Sequence, residues 1–455
     1  MTILASSMID SELFKDQYGT EEMRHIFSDQ AQIQKWLDTW AALAEAEAAE
    51  GIIPKAAAKE IAEKANYQNI NMSEVREGFK KTAHPLMPQI RSFAKSLSPE
   101  AGGYVHWGAT TQDITDTGLV LQLKDAQQLI VKQLQELLTS SLKQAKKYRT
   151  LIMAGRTHGQ PAVPITLGYK IAIWANEFGN HLDRIKDGQK RYLVGELGGA
   201  AGTLASLGDK GLAVQKTFCD LLGLETPTIT WHVSRDGFAE FASIISMIAG
   251  TIARVANEII NLQRTEIGEI EEGFTMGKVG SSTMPQKRNP MKCENIVSLT
   301  RIIQANATLG FSSMMQEHER DMTFWQSDWS YLPQICINLS TAMKMLNDVL
   351  NQMIVHKDNI KNNLFETKGL IVSERVMLDL GRYLGRQNAH EVIYENAMKA
   401  FEEKKPLLDL LLADKRVTAD VDEPTLREML NPEKYSGASA ELVDRVLSKY
   451  HAFLK

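Results

Sequence analysis

Cysteine is nearly missing: Cys219, Cys293 and Cys336 are the three in 455 residues, far apart and without a CxxC pair. Such a set excludes a disulfide framework and a Cys-based zinc site, and it fits a reducing, cytoplasmic setting. Proline is sparse as well. None lies between Pro164 and Pro227, between Pro227 and Pro285, or between Pro333 and Pro406, and spans without proline can be helical throughout. No stretch reaches about 18 uninterrupted apolar residues, so a transmembrane helix is not expected. Residues 1–14 have no basic start and hold Asp10 and Glu12, so no secretory signal is expected there. Lys and Arg number 51 against 56 Asp and Glu, a formal charge of −5. That balance leaves no basic excess for a nucleic-acid partner. No short-period repeat is visible, which argues against a helical solenoid.

What remains is ordinary globular material, 44% hydrophobic and 24% charged, in which the apolar residues recur at helical spacing. Ile244, Ile245, Ile248, Ile252, Val255, Ile259 and Leu262 form one stripe, and Leu123, Leu129, Ile130, Leu134, Leu137, Leu138 and Leu142 another. Convincing period-two runs are almost absent. The chain is therefore expected to be all-α, with central helices long enough for a bundle. Apolar stripes on several sides suggest burial against further copies of the chain; a large monomeric helical core is the alternative. Glycine-rich loops at 102–108, 195–202 and 277–290 interrupt the pattern. We expect an N-terminal helical domain over 1–105, a long-helix domain over 106–356 and a smaller helical domain over 357–455.

The third loop reads Gly280-Ser281-Ser282-Thr283-Met284-Pro285-Gln286-Lys287-Arg288-Asn289-Pro290. Two prolines and small residues make it a poor helix and suit a lid. Its hydroxyls, cations and amides are a good inventory for holding carboxylates; for the loop standing alone, a plain surface loop is the alternative. The run resembles the signature loop of the fumarase/aspartase superfamily, GSSxMPxKxNP, at every fixed position. Thr110-Thr111-Gln112-Asp113-Ile114-Thr115-Asp116-Thr117 is similar to that superfamily's TSxDxxDT segment, with Thr111 keeping the hydroxyl of the usual Ser. Gly155-Arg156-Thr157-His158-Gly159-Gln160-Pro161-Ala162-Val163-Pro164 is similar to its GRTHxQxAxP segment. The likeness runs in order from Tyr18 through Val443.

The resemblance implies three helical domains in an all-α homotetramer with a twenty-helix core. It implies active sites shared between three chains, and neither metal nor organic cofactor. The implied reaction is β-elimination through a carbanion, releasing fumarate from a succinyl adduct, or its reverse. A proton beside a carboxylate is weakly acidic, so such a site needs a base and strong stabilisation of an aci-carboxylate dianion. By resemblance Ser281 is the catalytic serine, which must be strongly activated to serve as a base. Lys287 and Asn289 are the carboxylate binders, with Ser282 a secondary hydrogen-bonder or a loop-shaping group. His158 is the general acid or relay. Glu294, thirteen residues after Ser281, is the glutamate that pairs with that histidine and raises its pKa. Thr110, Thr111 and Gln160 are substrate hydrogen-bonders by the same likeness, with helix capping as the alternative role. His84 and His106 fall where the adenylosuccinate lyase branch has site histidines, although Pro85 follows His84 where that branch has Asp.

Two branches of the superfamily compete. Residues 18–37 and 367–378 resemble adenylosuccinate lyases. Trp231 to Asp236, Gly198 to Gly208, Gln316 to Arg320 and Asn431 to Gly437 are nearer to 3-carboxy-cis,cis-muconate cycloisomerases. The phosphate-binding pattern of the first branch is altered: Gln17 stands where it has Arg, and Thr323 to Tyr331 is aromatic and lacks arginine. Arg24, Arg288 and Arg320 are the remaining cations for that task, and Arg320 is also a substrate-binding candidate. Trp325 and Trp329 are either a wall for a flatter substrate or ordinary packing. The expectation is a cytoplasmic C–N lyase acting on a succinyl-type polycarboxylate, with no nucleic-acid or membrane partner. The cycloisomerase, adenylosuccinate lyase proper and a catalytically silent structural relative are the alternatives.

Overall fold

In a computed structural model the chain is described over residues 5–274, 281–321 and 323–454. Gly277 to Gly280 of the third glycine-rich loop lie outside the described residues. Helix accounts for 69% of the chain, as the stripes require. The longest helices are Thr111–Lys147, Leu167–Tyr192, Asp236–Gln263 and Asp328–Gln352, with 37, 26, 28 and 25 residues. At 1.5 Å per residue the first is about 55 Å long. Pro333 lies inside Asp328–Gln352, where it removes one helical hydrogen bond. The chain divides into two compact units, 1–133 with 181–252 and 298–344, and 134–180 with 253–297 and 345–455. The division cuts through the long helices.

In the first unit, Asp29–Ala49 begins at Ser28, whose hydroxyl accepts from Ala31 N, an ordinary N-cap. This helix buries Trp36, Leu37, Trp40 and Leu43 in a cluster with Ile61, Phe93, Val214 and Phe218. Trp40 stacks on Phe93 at 6.0 Å and meets the edge of His106 at 6.4 Å. Gly118 lets the Thr111–Lys147 helix come close, because a Cβ there would lie 2.5 Å from the Trp36 ring. Gln112, Asp113, Thr115, Asp116 and Thr117, in that helix's first turns, are all buried. Buried polar groups need partners, and those of Gln112, Asp113 and Asp116 define the site below.

The second unit holds an antiparallel hairpin, Ile152–Thr157 with Gln160–Thr166, and a helical cluster built on Val376, Leu380, Val392, Leu411 and Leu426. A short pairing of Ile270–Glu271 with Ile354–Val355 leads into the third glycine-rich loop.

By length and apolarity, Asp236–Gln263 is the one helix among the described residues able to cross a membrane, with a mean hydropathy of 1.5. Of that window 56% is buried within the chain, and its Ile244, Ile248, Ile252, Val255 and Ile259 are core residues. The stripe is accounted for by packing. Cys219, Cys293 and Cys336 are all buried.

Candidate active site

Within the first unit, Thr110 and Thr111 sit at the start of the longest helix. Thr110 N donates to Asp113 Oδ2 at 2.8 Å, and Thr110 Oγ1 accepts from Arg320 Nη1 at 2.5 Å. Arginine only donates, so the Thr110 hydroxyl hydrogen is left to point elsewhere. Thr111 Oγ1 lies 3.4 Å from His84 Nε2. His84 Nδ1 accepts from the backbone N–H of Leu86 and Met87 at 3.2 and 3.1 Å. The neutral ring therefore carries its hydrogen on Nε2 and donates to Thr111. Each threonine hydroxyl thus keeps its own hydrogen to donate, and such a pair of donors suits a carboxylate. His106 stands in the left-handed region at φ 67° and its Nδ1 accepts from the Trp40 indole at 3.3 Å. Burial pushes its pKa down to about 4, with nearby Asp113 opposing the shift. It is a neutral imidazole with Nε2–H as its donor.

Under these residues the polar groups close on one another. Asp113 accepts four hydrogen bonds, from Thr110 N, Gly198 N, Gly199 N and His232 Nε2. This carboxylate therefore ties the second glycine-rich loop to the helix start. Arg235 is fully buried between Asp116 and Asp328, with contacts of 2.6 and 2.7 Å. Burial opposes its charge, but the two carboxylates outweigh burial and hold it protonated. Gln112 joins the two groups by donating to Asp116 Oδ2 and to the His232 carbonyl. Asp113, Glu196 and His232 are close enough to hold a cation. However, the Asp113 oxygens accept four hydrogen bonds and the Glu196 oxygens accept from Thr230 and Trp231. The donor set is spent on hydrogen bonds and does not fit a metal.

In the second unit, Ser281 Oγ accepts from the backbone N–H of Thr283 and Met284 at 3.3 and 3.1 Å. Donors aimed at a hydroxyl oxygen favour its deprotonated form. The C-terminal part of the loop is anchored. Arg288 donates to Glu271 at 3.0 Å and lies 4.3 Å from the Phe274 ring, while Gln263 donates to the Arg288 carbonyl. The Glu272 carboxylate accepts from Lys292 N and Cys293 N, capping the first turn of Met291–Ala307 where negative charge is favoured. Between these anchors Ser282 and Lys287 are exposed and Asn289 is half-buried. Glu294 is exposed in the first turn of the helix.

His158 and Gly159 form the two-residue connection of the hairpin, with Thr157 paired to Gln160. Their φ angles are 51° and 78°, the positive pair of a type I′ turn. Arg156 holds the strand end through a two-pronged ion pair to buried Glu269, at 2.9 and 2.7 Å. His158 and Gln160 are exposed at the tip.

The structure thus groups Thr110, Thr111, His84 and Arg320 in one unit, with His106 near Asp113. It places Ser281, Ser282, Lys287, Asn289 and Glu294 along one loop and helix start, and His158 with Gln160 on a hairpin tip, in the other. Sequence reasoning gave no role to Asp113, Glu196, His232 or Arg235, although their signal lay in Gly195-Glu196-Leu197-Gly198-Gly199 and Trp231 to Asp236. Trp325 and Trp329 are half-buried and pack edge to face on each other at 4.8 Å. Arg24 is held by Asp16 and Arg288 by Glu271, so two of the three cations for a phosphate are already paired.

Residues 16–304 match the Lyase family and residues 369–446 the adenylosuccinate lyase C-terminus. The chain is 42% identical to an N-acetyl-S-(2-succino)cysteine lyase of Enterococcus italicus, over 99% of this chain and 100% of that one. It is 39% identical to an adenylosuccinate lyase of Methanocaldococcus jannaschii, over 95% and 94% of the two chains. Among solved structures, 3-carboxy-cis,cis-muconate lactonizing enzyme from Pseudomonas putida matches with a TM-score of 0.90 and 34% identity, over 98% of this chain and 100% of that one. Matched end to end and carrying the signature segments on defined turns and helix starts, the chain belongs to the lyases of the fumarase/aspartase superfamily, in the branch of adenylosuccinate lyase and carboxymuconate cycloisomerase.

Proposed function

We propose that this enzyme eliminates fumarate from a 2-succinyl adduct of a small thiol, of the N-acyl-cysteine type, by a carbanion route. The full-length 42% identity with an N-acetyl-S-(2-succino)cysteine lyase carries the choice of leaving group. Ser281, activated by two backbone N–H donors, removes a proton from the succinyl CH₂. The electron pair passes into the adjoining carboxylate as an aci-carboxylate dianion. Lys287 and Asn289 stabilise that charge, with bonds that strengthen as it develops. The C–S bond then breaks, fumarate forms, and the departing thiolate takes a proton from His158, which Glu294 assists. Thr110 and Thr111, with Gln160, hold the substrate carboxylates; His84 and Arg320 hold those threonines and, with His106, meet the substrate's remaining polar groups. A thiol with a pKa of about 8.5 leaves readily, so the demand on the acid is modest.

The three groups of residues meet, in this reading, in a cytoplasmic homotetramer with a twenty-helix core, where each site takes one group from each of three chains. No metal or organic cofactor takes part, because the acid, base and anion binders are all side chains and backbone.

C–N cleavage is the second reading, favoured by the 39% identity with an adenylosuccinate lyase. The pairing of Arg24 and Arg288 with carboxylates counts against a nucleotide phosphate in that role. A panel decides: N-acetyl-S-(2-succino)cysteine, adenylosuccinate and 3-carboxy-cis,cis-muconate, compared by kcat/KM. The thioether should lead by roughly tenfold or more, about 1.4 kcal/mol of barrier. Faster turnover of adenylosuccinate would overturn the choice of leaving group, and faster lactonization of the muconate would overturn elimination from an adduct.

A further inference from the structure

Behind the Thr110–Thr111 hydroxyl pair lies a ring of buried polar groups that the elimination itself does not use. The side chains of Asp113, Glu196 and His232 are wholly removed from solvent. Asp113 Oδ1 takes His232 Nε2 at 2.7 Å, and Thr230 Oγ1 stands 3.1 Å from His232 Nδ1 and 2.9 Å from Glu196 Oε1. Trp231 N closes the ring on Glu196 Oε2 at 2.6 Å.

The hydrogens can be counted. Ionised Asp113 only accepts, so His232 Nε2 carries a hydrogen. Thr230 has one hydroxyl hydrogen. Given to an ionised Glu196, it obliges Nδ1 to carry a second hydrogen, and His232 is an imidazolium. Given to Nδ1, it obliges Glu196 to be protonated and to donate to Thr230. The two forms differ only by the shift of one proton through the Thr230 hydroxyl, and neither breaks a hydrogen bond. Glu196 is raised by burial to about 7. His232 is raised because its bond to Asp113 and the charge of Glu196 outweigh its burial. Both directions agree with a proton held in common. Asp116 and Arg235 are the charges alongside, and they are paired with each other.

We infer that Glu196 and His232 are positioning residues that act through Asp113 to aim the Thr110 and Thr111 hydroxyls, with one proton shared between them across Thr230. Asp113 receives Thr110 N on one oxygen and His232 on the other. A ring that cannot lose its hydrogen bonds therefore fixes the helix start from which both hydroxyls project. The inference rests on the carboxylate-binding role proposed for those threonines.

The test compares Glu196→Gln, Glu196→Ala and His232→Phe in the full-length protein by calorimetric titration with fumarate. Glutamine can accept from Trp231 N, donate to Thr230 and so send the Thr230 hydrogen to Nδ1; every bond of the ring survives. Glu196→Gln should bind fumarate within about twofold of wild type. Glu196→Ala and His232→Phe should lose up to roughly 10²-fold, the order of a lost hydrogen bond to a charged group. Nitrogen-15 NMR should find His232 with hydrogen on Nε2 in the wild type, and on Nε2 alone in Glu196→Gln. Should the truncations not fold, Thr230→Val removes only the relay hydroxyl and should weaken fumarate in the same direction. Wild-type affinity in Glu196→Ala or Thr230→Val, Glu196→Gln as weak as Glu196→Ala, or a His232 lacking hydrogen on Nε2 each overturns the inference, as does a wild type that binds no fumarate. A wild type that binds fumarate but eliminates it from no succinyl adduct overturns the proposed function alone.

Discussion

At the scale of single residues, chemistry is set by which atom accepts and which donates. Ser281 Oγ takes two backbone N–H donors, an arrangement that favours an alkoxide. Ser281→Ala should lower kcat by roughly 10²–10⁴, about 3–5 kcal/mol. KM should change little, and Ser282→Ala should do less; steady-state kinetics on the succinyl thioether checks both. His106 supplies a stability test. Its folded pKa of about 4 lies below the roughly 6.5 of an unfolded histidine. Between those values the unfolded chain binds the extra proton, so stability rises with pH through that window and is lost as pH falls through it. The full swing is about 3 kcal/mol. Thermal melts of His106→Gln should show a shallower slope from pH 4 to 6.5 than the wild type, and an unchanged slope would contradict the assignment. Much of the residue list was legible in three motif segments because short loops of hydroxyls, amides and cations leave a dense signature. The ring of Glu196 and His232 was not, because its members are 36 residues apart in sequence and meet only after folding.

At the scale of elements, helical spacing was the clearest signal. The stripes at Ile244 to Leu262 and Leu123 to Leu142 became the Asp236–Gln263 and Thr111–Lys147 helices. The hairpin was hidden because Pro161 and Pro164 weigh against a strand. With only two strands every strand is an edge, and edges tolerate proline. Its turn had a readable clue, since His158-Gly159 can take positive φ in succession, as Asn-Gly does. Gly159 has φ 78° and nothing within 4 Å of where its Cβ would lie. Gly159→Val therefore meets a backbone penalty of about 1–2 kcal/mol and no clash. The expected outcome is a larger loss in kcat than the small drop in Tm accounts for, since the strained turn misdirects His158. Equal activity with a lowered Tm would show that His158 needs no such turn.

At the scale of the whole molecule, the chain leaves Met247, Leu309, Phe311 and Met315 exposed at 44, 39, 59 and 68%. Further copies of the chain would cover such side chains, and light scattering should report a tetramer. If sites are shared, mixing inactive Ser281→Ala and His158→Ala proteins under subunit exchange should restore activity, because a mixed site can receive intact residues from separate chains. No recovery after demonstrated exchange would place all catalytic groups within one chain. The most direct test of the central claim is a product balance on purified protein with N-acetyl-S-(2-succino)cysteine. Fumarate and free thiol should appear in equal amounts, and both should fall together by roughly 10²–10⁴ in Ser281→Ala. Thiol without fumarate, or undiminished release by the Ser281 variant, would contradict an elimination begun by that serine.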